Sequence, residues 1–153
     1  MSVTPLLPVT GTWALPFVGL HLAFQIPIIV LRRSNRISIG DGSAQLAKAT
    51  NEAQRKKLED TCKDLAFRIR AQANFIENAH FALLLLAVAE LNAMPATVLH
   101  AMFATLFAAR VLHYWTMADF RKVGVGLGRV LGVMGTMVVL VSAAAWSLGT
   151  LIF

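Results

Sequence analysis

Residues 129–153 read RVLGVMGTMVVLVSAAAWSLGTLIF, one arginine followed by no charged side chain as far as Phe153. A helix rises about 1.5 Å per residue, so roughly 20 apolar residues cross a hydrocarbon core of about 30 Å. This stretch is long enough, and working back along the chain there are three more. The third span follows Pro95 and runs to about Ala118, with Arg110 inside it. The second, about Leu65 to Leu91, is apolar from Phe81 to Ala89 but opens on the polar run Arg68 to Asn78. The first runs from about Thr12 to Leu31, within a stretch from Met1 that holds no Lys, Arg, Asp or Glu. So few segments must each satisfy their own backbone hydrogen bonds in lipid, which makes them helices. The expected fold is all-α, an integral membrane four-helix bundle. It forms one domain over 1–153, with spans at 12–31, 65–91, 96–118 and 129–150 and a polar loop at 32–64.

Composition agrees. The 153 residues are 57% hydrophobic and only 14% charged, with a mean hydropathy of +0.65, where a soluble domain carries about a quarter charged residues. The first apolar stretch lacks a basic leader and is too long for a cleaved signal, so it reads as a retained span. Pro16 and Pro27 are expected to kink it or to thin its hydrogen bonding locally, which membrane helices tolerate.

All fourteen Lys and Arg fall between Arg32 and Arg129. The loop after the first span carries Arg32, Arg33, Arg36, Lys48, Arg55, Lys56, Lys57 and Lys63, and the connection between spans three and four carries Arg121 and Lys122. In a four-span chain these two loops share one side, and the positive-inside rule makes it the cytoplasmic one, with both termini opposite. The +6 net charge is then topological, with some attraction to anionic headgroups, and nucleic acid is not an expected partner. Gly40-Asp41-Gly42 marks a turn, and residues 44–63 read as a mixed-charge helix or an extension of span two. Cys62 is the only cysteine, and His21, His80, His100 and His113 lack ligand spacing, so neither a disulfide nor a metal centre is expected.

Ionisable groups within a span are costly and face a partner or a cavity. Arg70, Asn74 and Glu77 stand at i, i+4 and i+7, on one helical face, with Glu77 about 10 Å deeper than Arg70. Spans one and three end where two and four begin. Arg32, Arg33, Arg110, His113, Tyr114 and Arg129 therefore belong to the same slab as Arg70, with Glu77 the deep carboxylate nearby. This excess of positive charge asks for an anion, although arginines at span ends also serve as headgroup anchors.

The run Arg68 to Asn78 resembles the signature of the MAPEG family, the membrane-associated proteins in eicosanoid and glutathione metabolism. That signature reads Arg-Ala-(His/Gln)-x-Asn-x-x-Glu, and Arg70, Ala71, Gln72, Asn74 and Glu77 match each fixed position. The stretch ending at His113 is similar to the family's third helix, and the layout is most like the small bacterial members, which places the protein in a bacterial inner membrane.

The resemblance implies a homotrimer that binds glutathione between subunits and transfers it to lipophilic electrophiles or reduces lipid hydroperoxides. Carried over residue by residue, Arg70, Asn74 and Glu77 would hold the tripeptide with Gln72, Arg110, His113 and Arg32. Arg129 would stabilise the thiolate, with Arg121 as the fallback. The chemistry is consistent: guanidinium forks suit the two carboxylates of glutathione, Glu77 suits its ammonium, and a nearby guanidinium favours a thiolate. One departure stands out. Several family enzymes have a tyrosine one turn after the His113 position, and this chain has Met117. The rival readings are a non-catalytic lipid-binding or partner-presenting protein of the same fold and a small proton-coupled exporter using Glu77.

Overall fold

A computed structural model describes residues 5–117 and 126–152. The described residues form five helices: α1 (Pro8–Ser34), α2 (Ser43–Leu46), α3 (Glu52–Leu91), α4 (Ala96–Met117) and α5 (Leu127–Ile152). All but α2 are long and apolar enough to cross a membrane. The expected end of span three at Ala118 lies outside the described residues, as do Arg121 and Lys122.

α3 and α4 form the middle of the bundle. α1 packs on one side of them and α5 on the other, and α1 and α5 do not touch. The core is made from large side chains set against small ones. Leu86, Leu99, Phe103 and Leu106 are fully enclosed, and Ala71, Ala79, Ala82 and Ala89 let neighbouring helices approach α3 closely. Leucines and valines also cover the outside, with Val138 59% and Val141 66% exposed. In water such a surface would drive aggregation, but against lipid it is the matching solvent face.

The helix ends explain themselves through their hydrogen bonds. α1 starts with Pro8 and has no side-chain cap of its own. Glu90, near the end of α3, takes that role across the bundle: its carboxylate accepts from Val9 N and Thr10 N at 2.8 Å each and from Thr10 Oγ1 at 2.6 Å. A carboxylate against free N–H groups and the positive end of a helix dipole is stabilising. α1 runs unbroken through Pro16 and Pro27. It ends in a Schellman motif, with Arg36 N bonded to Arg33 O and Ile37 N to Arg32 O at 2.9 Å. Arg36 takes the left-handed conformation there, φ +54°. Ile37, 3% exposed, then packs on Ile28 and Leu65.

Much of the expected 32–64 loop is helical. Asn51 caps α3 through its side-chain oxygen, which accepts from Ala53 N and Gln54 N, and the helix runs without interruption from Glu52 into the apolar span. Leu58, Cys62 and Leu65, at i, i+4 and i+7, continue an inward stripe beyond the lipid-soluble part. Gly42 closes the connector over this extension. Its φ is +91°, and a Cβ there would lie 2.7 Å from Ile37 Cδ1 and 2.8 Å from Cys62 Sγ, so only glycine fits.

Candidate functional site

The Arg70, Asn74 and Glu77 stripe stands on α3, but its members meet different surroundings. Asn74 is half-buried and faces α4, and its side-chain oxygen accepts from Arg110 Nη1 at 3.1 Å. Arg110 is only 2% exposed. Its second terminal nitrogen donates to the Gly132 carbonyl of α5 at 2.6 Å. One guanidinium thus ties α3, α4 and α5 together, and its Nε is enclosed without a partner. A buried cation is tolerated because acceptors surround it.

The close approach of α5 makes that geometry possible. A Cβ at Gly132 would lie 2.6 Å from His113 Cβ and 2.7 Å from the Ala109 carbonyl, and one at Gly128 would meet Thr116 at 2.5 Å. The two glycines, four residues apart, let α5 lie directly on α4 in the manner of small-xxx-small contacts in membranes. Thr136 Oγ1 adds a second bond to Gly132 O at 2.9 Å.

His113 faces the same seam. Its Nδ1 lies 3.3 Å from the Arg129 carbonyl, which makes Nδ1 the donor, and its Nε2 is buried without a partner. Two hydrogen-bonded groups, Asn74–Arg110–Gly132 and His113–Arg129, thus lie along the packing of α3, α4 and α5. The Arg129 side chain itself is exposed. So are Arg70 and Glu77, and neither makes a salt bridge among the described residues. Gln72 is half-buried and, two residues after Arg70, lies on roughly the opposite side of the helix.

Arg32 sits apart from these groups. Its Nη2 donates to the Gly40 carbonyl at 3.0 Å, which ties it to the connector that follows α1. Arg110 gives one donor from each terminal nitrogen to protein acceptors. Tyr114 turns away from His113 toward α1. Its ring stacks on Phe24 with centroids 3.6 Å apart, and its hydroxyl donates to Phe24 O. Met117 packs against the apolar core, so no tyrosine stands beside His113 among the described residues. Two features escape a reading of spacing alone: the cap supplied by Glu90, and the imidazoles of His21 and His80, whose centroids lie 5.9 Å apart on α1 and α3.

The arrangement defines a four-span helical membrane protein with a polar arginine, asparagine and histidine cluster near the end that bears its basic loop. The chain matches the MAPEG family over residues 10–149 and belongs to that family. No curated protein and no solved structure matches it significantly.

Proposed function

We propose that the protein is a homotrimer that binds glutathione between neighbouring chains and uses it as a transferase or peroxidase on lipophilic electrophiles or lipid hydroperoxides. One observation carries the reading: Arg70 and Glu77 are exposed, without ion-pair partners among the described residues, on a helix that enters the membrane. Charges at that depth call for a covering surface and a charged ligand. Glutathione suits them, with its carboxylates toward Arg70 and its ammonium toward Glu77. Gln72 belongs to the same signature but faces away from this stripe, while Arg110 holds Asn74 in place. Arg129 stabilises the thiolate and His113 orients the start of α5 through the Arg129 carbonyl. By the positive-inside rule the site opens to the cytoplasm of a bacterial inner membrane.

The test is native mass spectrometry of detergent-solubilised protein with and without glutathione, joined to the ultraviolet absorbance of the thiolate. Three chains, bound glutathione and a thiolate signal lost in Arg129→Ala are expected. Bound tripeptide without thiolate or conjugation would favour the second reading, a non-catalytic lipid-binding or partner-presenting protein. The position of Tyr114 against α1 supports that alternative, because it leaves His113 without a phenol at its side.

A further inference from the structure

The Schellman motif places one residue in the left-handed region, where an L side chain crowds the backbone at a cost of about 1 kcal/mol and glycine is the usual occupant. Among the described residues the motif occurs twice without glycine. At the end of α3 the occupant is Ala93, φ +57°; at the end of α1 it is Arg36, φ +54°. A long cation held at a strained position points to a use for its side chain.

Arg36 borders a depression of about 400 Å³ lined by Ile29, Arg32, Arg33, Arg36, Ile37 and Ser38. The lining holds three guanidiniums and a hydroxyl, and no carboxylate. Arg33 and Arg36 are exposed and form no salt bridge among the described residues. Arg32 is fixed through Gly40, and its Nε is buried without an acceptor. Three like charges around one hollow repel each other until an anion joins them. Below them Ile26 and Ile29, seven and four residues before Arg33 and on its helical face, are exposed toward lipid. The occupant therefore has an acidic head and an apolar tail.

We propose that this pocket binds the phosphodiester headgroup of an anionic membrane lipid, with an acyl chain lying along Ile26 and Ile29. Guanidinium forks match the phosphate oxygens, and the Ser38 hydroxyl is a further donor. The site lies off the Arg70 stripe and shares only Arg32 with the residues that the resemblance assigns to glutathione, so its test substitutes Arg33 and Arg36.

The test uses the full chain, delipidated in detergent, and native mass spectrometry to titrate three probes. These are phosphatidylglycerol, phosphatidylcholine with the same acyl chains, and soluble glycerol phosphate. Wild type should retain phosphatidylglycerol at least tenfold more tightly than phosphatidylcholine and should not exchange it for glycerol phosphate. Each cation removed should weaken the anionic lipid about fivefold, and Arg33→Gln with Arg36→Gln on the order of twentyfold. Arg36→Gly is the decisive variant: it relieves the strained backbone, so its melting temperature should hold or rise while its lipid affinity falls. Equal retention of the two lipids, unchanged affinity in the double variant, or displacement by glycerol phosphate would overturn the proposal.

Discussion

A guanidinium enclosed in a bundle that lipid surrounds is destabilising by several kcal/mol unless its donors find acceptors, and Arg110 finds them on two other helices. The two ends of that contact should respond differently to mutation. Asn74→Ala leaves the cation one acceptor short, which costs about 1–3 kcal/mol. In a chain of this size that is a melting temperature lower by about 2–10 °C. Arg110→Met removes the charge with its desolvation penalty and leaves Thr136 bonded to Gly132 O, so it should lose less than Asn74→Ala. Thermal unfolding of the two purified variants in one detergent checks the order, and a larger loss for Arg110→Met would contradict it. Sequence identified Arg110 as a cation out of place in a span, but not what it touches. Its acceptors come from α3 and α5, and no spacing along α4 encodes them. Glu90 is the same case, since its partners at the tip of α1 lie 80 and 81 positions away.

The α4–α5 seam depends on glycine, and substitutions along α5 should reveal it. Gly132→Ala forces a methyl to within 2.7 Å of backbone and should destabilise by about 1–3 kcal/mol. Gly149 has open space around its missing Cβ, so Gly149→Ala should be neutral or slightly stabilising through its helix propensity. Scanning calorimetry on both separates packing from propensity, and equal melting temperatures would refute the close-approach argument. The ends of α3 invite the opposite change. Ala93→Gly relieves a left-handed alanine but loosens the unfolded chain, for a net gain of less than about 1 kcal/mol. A raised melting temperature is expected by the same measurement.

At this scale the four apolar segments were plain in the sequence, because hydropathy marks where lipid begins. It does not mark where a helix begins. The start of α3 at Glu52 depends on the Asn51 cap and on the stripe of Leu58, Cys62 and Leu65; residues 44–63 read in the sequence as a mixed-charge helix or an extension of span two, and hydropathy does not decide between them. The Gly128 and Gly132 spacing is legible once the contact is known, yet in a span already rich in small residues it does not stand out.

For the whole molecule, the open question is what covers the exposed face of α3. Arg70 and Glu77 lie on it, and a carboxylate left against lipid would make the chain less stable than its apolar variant. Glu77→Leu should therefore keep or raise the melting temperature of the protein without ligand. Glutathione should act in the reverse sense. A ligand that binds only the folded state stabilises it by about 2.7 kcal/mol at a hundredfold excess over its Kd. That is a rise of roughly 5–10 °C in wild type, and Glu77→Leu should lose it together with its bound tripeptide. The pair of measurements separates two explanations for the same exposed charge. If Glu77 serves only to hold chains together, the leucine variant falls apart in native mass spectrometry and melts lower whether or not glutathione is present. If Glu77 serves the ligand, the oligomer persists, the unliganded protein is no less stable, and the response to glutathione alone disappears. The second outcome is the one expected, because the described residues offer Glu77 no cation of its own and glutathione brings an ammonium to it.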